Sequence, residues 1–421
     1  MDSIQIDGGI PLQGQVKIQG SKNATLPILA AAILVRGKSL IENCPKISDV
    51  FHMQALLTSL GCKVIWEGSS LRIDASDVRE TRMPYKEVTA MRSSISLLGA
   101  LLARNGEAVL YHPGGCVIGA RPIDIHLETL SKLGVHFEEK EEADSIGLLY
   151  ACTSGLEGAT VRLRFPSVGA TQNLLLAAVL AKGDTYIENA AREPEVASLC
   201  EFLQRAGANI TGIGSTCIHI KGVEQLYESC YRIPADRIVA GTYLTGCMLA
   251  GGSVLLKEAP VKQMQAVLET ADRMGAFLQE APEGLFVQSP KRLQTPGHID
   301  TAVYPGFPTD MQSFFLVALT GAQKESVLTE TIFENRFHIA AQLTKMGARL
   351  KVDGNHVYIR GNDCLIGTTV QAEELRGGAA LVMAGLAATG HTRVEGCSYI
   401  YRGYENIGRD LRELGARVYS V

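Results

Sequence analysis

One pattern recurs six times along this chain and limits the folds open to it. An apolar residue followed by glycine closes a helix-like stretch and leads into a short strand-like stretch in LTSLGCKV, LSKLGVHF, LQRAGANI, ADRMGAFL, LTKMGARL and LRELGARV. The glycines are Gly61, Gly134, Gly207, Gly275, Gly347 and Gly415, spaced 73, 73, 68, 72 and 68 residues apart. A glycine there fits the position just past a helix, where the backbone turns left-handed and a Cβ is unwelcome. Upstream of each lies an Ala/Leu-rich helical stretch with no clear polar face: TLPILAAAIL, SSISLLGALLA, TQNLLLAAVLA, GTYLTGCMLA, QSFFLVALTG and AALVMAGLAA. Such helices belong in a core. A strand pattern follows each, as in KSLIEN or DTYIEN, so the unit reads helix–strand–helix–strand–strand.

Six units in 421 residues exceed one ordinary core and divide into two groups of three. A repeat of about 70 residues is longer than the usual solenoid period of roughly 20–50, which favours two similar domains about a cleft over a solenoid. GGIPLQG and GVEQLYESC read as plain turns.

Composition removes several function classes. The formal net charge is -4 and no Lys/Arg run stands out, so no nucleic-acid footprint is evident. No stretch reads as a signal peptide or membrane span, which implies a cytoplasmic protein. The ten cysteines form no C-x-x-C pair and the histidines no ligand pattern, so neither disulfides nor a metal are expected. Cys62, Cys200, Cys217 and Cys247 read as small buried hydrophobes.

Polar and Gly-rich residues gather where each apolar helix begins: GSKNATLP, TAMRSSIS, PSVGATQN, PADRIVAGT, FPTDMQSF and ELRGGAAL. Helix N-termini carry free N–H groups and partial positive charge, suited to phosphate or carboxylate. Lys22, Arg92 and Arg376 add full charges there. Facing domains would let six such termini converge on one cleft, and closure on binding is then expected. The loop YHPGGCVIGARPIDIH holds Cys116 among glycines, with Arg121 nearby. A thiol in an accessible cationic loop can act as acid, base or nucleophile, and a small buried hydrophobe is the other reading. Asp310, at the mouth of an apolar helix, is a base or a helix cap. Arg336 and Arg402, each just before a helix, are oxyanion clamps or structural ion-pair partners.

These strings in this order, from GSKNATLPIL through PGGCVIGARPIDIH, PSVGATQNLLLAA, FPTDMQ and FENRF to LRGGAALVMAG and YRGYENI, resemble the UDP-N-acetylglucosamine 1-carboxyvinyltransferases over the whole chain. The sister 3-phosphoshikimate 1-carboxyvinyltransferases have a Lys-Ser pair where this chain has Lys22-Asn23. The resemblance implies two inside-out α/β barrels of three repeats each. One runs from 22 to 233, and the other joins 1–21 to 234–421, the N-terminal strand completing its last repeat. It implies transfer of the enolpyruvyl group of phosphoenolpyruvate to the 3-hydroxyl of UDP-N-acetylglucosamine, with no metal, organic cofactor, nucleic acid, membrane or obligate protein partner. A different acceptor, or a silent paralogue that only binds UDP-sugar, are the competing readings.

By the same resemblance Cys116 delivers a proton to C3 or aids product release, and is the thiol alkylated by the epoxide antibiotic fosfomycin. Asp310 is the base facing the sugar hydroxyl. Lys22, Arg121 and Arg402 bind phosphoenolpyruvate, with Arg92 lining the same cleft. Asn23 contacts both substrates. Arg121, Pro122, Ile123, Asp124, Ile125, Ser167, Val168, Gly169 and Ile332 form the UDP-sugar site, and Arg336 and Arg376 support the anionic groups. Phe165, Val239 and Tyr401 depart from the residue types usual in the family.

Overall fold

A computed structural model describes residues 3–111, 123–141, 147–361 and 364–420. The described chain divides into two compact units, one drawn from 20–234 and one from 3–19 together with 235–420. These limits fall two residues before and one residue after those implied by the resemblance. Each unit has its own hydrophobic core.

Six apolar helices form the two interiors: α1 (Lys22–Ala32), α2 (Ser96–Asn105) and α3 (Val168–Ala178) in one, α4 (Arg237–Ala250), α5 (Gln312–Thr320) and α6 (Leu375–Ala387) in the other. They are buried on nearly every side, as the lack of a polar face requires. Close approach between them is built in. A Cβ on Gly99 of α2 would lie 2.2 Å from the carbonyl oxygen of Asn173 in α3, so only glycine allows this crossing.

The helices that end at the repeat glycines lie outside these and are amphipathic. In Pro194–Arg205 the buried Val196, Leu199, Cys200, Phe202 and Leu203 follow helical spacing. All six repeat glycines have positive φ, from 86° to 107°. At each one the following N–H reaches back five residues and the glycine N–H three, as in Cys62 N to Leu57 O at 3.0 Å and Gly61 N to Thr58 O at 3.1 Å. This double bond pattern satisfies the last carbonyls of the helix and ends it at a set residue.

Each repeat contributes one sheet on the outside of its unit. In the third, Asp184–Glu188 pairs antiparallel with Cys217–Lys221, which pairs with Asn209–Thr211. A short strand from the end of the preceding repeat, Thr160–Arg162, lies parallel on the other side. The same device closes the unit, because Ser229–Arg232 at the end of repeat three runs parallel to Lys38–Glu42 of repeat one. The second sheet has three strands, and a parallel bridge from Arg82 to Val109 stands where the others carry the fourth.

The N-terminal segment serves the other unit twice. β1 (Ser3–Asp7) lies between His391–Glu395 and Arg417–Ser420, and β2 (Leu12–Lys17) runs parallel to Gly252–Lys257. Helices inside, sheets outside and a closed circle of three repeats make each unit an inside-out α/β barrel. Closure excludes the solenoid.

Two expectations need correction. GGIPLQG and GVEQLYESC are not plain turns, since each runs into a closing strand. Those strands bury few residues, Leu12 and Val16 in one and Tyr231 in the other, so no clean alternation announced them. Cys217 is exposed at the start of its strand, whereas Cys62, Cys200 and Cys247 are buried. Burial pushes those three thiols up to about 12. No disulfide joins the described cysteines to one another. Among the described residues no helix is long and apolar enough to cross a membrane, and no His/Cys/Asp/Glu group could hold a metal ion.

Candidate active site

In the unit holding both termini, Pro308 precedes a single 3-10 turn, Thr309–Met311, that leads into α5. Asp310 sits inside that turn, and the capping positions belong to Pro308 and Met311. Its carboxylate lies between two guanidiniums, 2.7 Å from Arg336 Nη2 and 3.0 Å from Arg376 Nη2. Both arginines are buried, while the Asp310 side chain keeps 27% of its surface exposed. Burial would push the carboxyl up, but the Arg376 and Arg336 charges outweigh it and hold it well below the usual carboxylate range.

Each arginine is held in turn. Arg336 Nη1 donates to Thr309 Oγ1 at 2.8 Å, and that hydroxyl donates to the buried Glu330 Oε2 at 2.8 Å. Arg376 lies in the first turn of α6, where the Glu374 carboxylate caps the helix by accepting from the N–H groups of Arg376 and Gly377. Tyr404 lies near Arg376 and exchanges a 2.7 Å bond with Thr242 of α4. The starts of α4, α5 and α6 are thereby tied together. Arg336 Nε and Arg376 Nη1 are buried without a hydrogen-bond partner among the described residues. Ile332 follows Glu330 on the same loop, its N–H 2.8 Å from Glu330 Oε1. Arg402 ends a 3-10 turn, Ile400–Arg402, that packs against α6.

The unit formed by 20–234 is organised by neutral groups. Ser21 and Ser167 cap α1 and α3 through their hydroxyls. Asn173, midway along α3, donates to Ile95 O and accepts from Gly99 N, both at 2.8 Å, and so ties α3 to the start of α2. Its Nδ2 also meets His126 Nδ1 at 2.8 Å. His126 packs beneath the first turn of α3, where a Cβ on Gly169 would come within 3.0 Å of the imidazole. Burial first, and then the Arg92 charge, push His126 down to about 4, so it stands neutral near pH 7. The one buried ion pair described in this unit joins Lys22 at the start of α1 to Asp49, at 2.7 Å.

The structure gathers some expected residues and separates others. Asp310, Arg336 and Arg376 form one cluster, with Ile332 connected to it through Glu330. Ile123, Asp124 and Ile125 begin a helix that packs on α3 beside Ser167, Val168 and Gly169. Asp124 is exposed and ion-paired with Arg164. Lys22, Asn23 and Arg92 lie at the starts of α1 and of the 3-10 turn before α2. Cys116, Arg121 and Pro122 lie outside the described residues. At these helix starts Lys22 and Arg376 each face a carboxylate, Asp49 and Asp310.

Sequence reasoning missed Asp49, His126, Asn173, Glu330 and Tyr404. A polar residue inside an apolar run was the available signal for Asn173. The others are polar residues of loops and outer helices, whose partners are set by the fold.

Residues 6–411 match the family model of EPSP synthase (3-phosphoshikimate 1-carboxyvinyltransferase). A UDP-N-acetylglucosamine 1-carboxyvinyltransferase 2 of Caldanaerobacter subterraneus is 44% identical over 421 residues, covering 100% of both chains. A UDP-N-acetylglucosamine 1-carboxyvinyltransferase of Oleidesulfovibrio alaskensis is 43% identical with the same coverage. Among solved structures, the enolpyruvyl transferase NikO from Streptomyces tendae superposes with a TM-score of 0.89 at 26% identity, over 99% of this chain and 98% of its own. EPSP synthase from Acinetobacter baumannii shares the fold, with a TM-score of 0.76 at 16% identity over 100% of both chains. The chain therefore belongs to the EPSP synthase family and, within it, to the UDP-N-acetylglucosamine 1-carboxyvinyltransferases.

Proposed function

We propose that this chain is a transferase moving the enolpyruvyl group of phosphoenolpyruvate onto the 3-hydroxyl of UDP-N-acetylglucosamine, with release of phosphate, as the committed step of peptidoglycan synthesis. The observation that carries the reading is the match at 44% identity along the full length of a relative of that name. The free thiols are in keeping with a reducing cytoplasm.

The chemistry is an addition followed by an elimination. The sugar oxygen bonds to C2 of phosphoenolpyruvate as its proton leaves, and C3 gains a proton. The tetrahedral ketal then loses a proton from C3 as the C2–O bond to phosphate breaks. Two proton-handling groups and compensation for several anionic groups are needed. We assign the C3 proton to Cys116 and the hydroxyl proton to Asp310.

A carboxylate clamped by two arginines is a weak base at rest. In this reading Asp310 accepts a hydrogen bond from the hydroxyl and takes its proton only as the O–C2 bond forms and the hydroxyl acidifies. Arg336 and Arg376 are assigned to support the anionic groups from beside Asp310. Lys22, Arg92, Arg121 and Arg402 are assigned to phosphoenolpyruvate and its cleft, Asn23 to both substrates, and 121–125, 167–169 and Ile332 to the UDP-sugar.

Phosphate release from phosphoenolpyruvate, measured with and without UDP-N-acetylglucosamine, tests the activity. Turnover that depends on the sugar nucleotide is expected. Turnover with a different sugar nucleotide alone would favour transfer to another acceptor instead. Fosfomycin should alkylate Cys116 alone among the ten cysteines, and faster with UDP-N-acetylglucosamine present. Cys116→Ser should abolish labelling and impair turnover, whereas Cys116→Asp, which still carries an acid, should resist the epoxide. Peptide mass mapping that finds the adduct elsewhere removes the assignment.

A further inference from the structure

Glu330 is 2% exposed and has no cation at ion-pair distance among the described residues. It is satisfied by four donors. Oε1 accepts from Thr301 Oγ1 at 3.0 Å, Ile332 N at 2.8 Å and Phe333 N at 3.1 Å. Oε2 accepts from Thr309 Oγ1 at 2.8 Å. Because Thr309 donates its only hydroxyl proton to Glu330, its oxygen faces Arg336 as a pure acceptor and takes Nη1 at 2.8 Å. Arg336 Nη2 is thereby aimed at Asp310 Oδ1, at 2.7 Å.

A buried carboxylate is a costly way to staple a loop, since an amide or hydroxyl can satisfy N–H groups without desolvating a charge. What the carboxylate adds is acceptance on both oxygens at once. A glutamine in either orientation turns a donor toward one side: toward Thr309, which then has no acceptor for its own proton, or toward Thr301 and two backbone N–H groups, which are already donors.

We propose that Glu330 is a positioning residue for the transfer reaction, orienting Thr309 so that Arg336 is held against Asp310 while the same carboxylate fixes the loop bearing Ile332. The proposal rests on the functional reading above only where it concerns turnover, since the orientation of Asp310 can be followed separately.

The variants are Glu330→Gln, Thr309→Val and Thr309→Ser. Release of Arg336 removes one of two charges holding the Asp310 carboxyl down, so its titration moves to higher pH. Carboxyl NMR with labelled aspartate, assigned by loss of the signal in Asp310→Asn, reads this without substrate. With phosphoenolpyruvate and UDP-N-acetylglucosamine, Glu330→Gln and Thr309→Val should lower kcat up to about 100-fold. KM for phosphoenolpyruvate should change far less, and the acid limb of kcat should move to higher pH. Thr309→Ser keeps the hydroxyl and should recover most of the loss.

If Glu330→Gln does not fold, Thr309→Val against Thr309→Ser decides. Folded variants whose Asp310 titrates as in the parent, or a serine variant as impaired as the valine one, overturn the proposal. A parent protein that does not turn over this substrate pair counts against the functional reading instead, and the Asp310 titration then decides the role of Glu330 alone.

Discussion

The two barrels start from the same repeat yet wire their helix starts differently. In the barrel of 3–19 and 235–420, charge joins the starts of α5 and α6, with Asp310 between Arg336 and Arg376 and Glu330 behind, and Tyr404 reaches α4 through Thr242. Among the described residues of 20–234 the links are serine caps and the Asn173–His126 pair, together with the buried Lys22–Asp49 ion pair. Buried charges hold a geometry strongly but fail badly when half of a pair is removed, whereas neutral links cost less to break. One scaffold thus carries a stiff ionic centre and a more forgiving polar one, and mutation can separate them.

The largest expected effect is at the ionic centre. Asp310→Asn should lower turnover about 10²–10⁴-fold, far more than it weakens UDP-N-acetylglucosamine binding, since an amide cannot accept the proton. It also leaves two buried guanidiniums without the carboxylate between them, so stability should fall by about 3–5 kcal/mol. The parent's advantage is present above the ordinary carboxylate range and is lost as pH falls through the depressed native value, because the folded carboxyl resists protonation. Normal turnover by the Asp310→Asn variant would mean that the base lies elsewhere.

Next comes the buried Lys22–Asp49 ion pair. Lys22→Ala takes the ammonium away from the buried Asp49 and should cost about 3–5 kcal/mol, while adding Asp49→Asn should return part of that. Denaturant melts of the parent, both singles and the double give the coupling. Strictly additive losses would show that this pair is not a unit.

His126 gives the neutral barrel its own acid sensitivity. A histidine near 6.5 when unfolded and about 4 when folded is stabilising at neutral pH. That contribution is lost as pH falls from about 6.5 to 4, roughly 3 kcal/mol in all. Hydrogen exchange followed by peptide should show 20–234 loosening across this window, before acid reaches the Asp310 cluster, and His126→Gln should flatten the slope. Simultaneous loosening of both barrels removes the distinction.

The smallest effect belongs to Asn173→Ala. It leaves Gly99 N–H and Ile95 C=O without their partner and should cost about 1–3 kcal/mol, with turnover within a few-fold of the parent. A loss of turnover as deep as that of Asp310→Asn would break the contrast between the two centres.

The repeat, the six left-handed glycines and the buried helices were legible in the sequence because each follows from local rules. A helix without a polar face must be buried, and a glycine past its end is placed by the chain's own carbonyls. The family was legible as well, because strings such as PGGCVIGARPIDIH and YRGYENI stand in order along the whole length. The tertiary structure decided what those residues do to one another. Lys22 and Arg376 look alike as charges beside helix starts, but only folding brings Asp49 to one and Asp310 to the other. Asp310 reads in the sequence as a cap or a base, and only the fold brings Arg336, 26 residues on, and Arg376, 66 residues on, within hydrogen-bond distance of it. Closing strands such as β2 and Ser229–Arg232 were hidden too, since each buries few side chains and is held by pairing with a distant partner. Periodicity reports what one segment presents to a core; pairing and charge depend on which segments meet, and that is set by the fold.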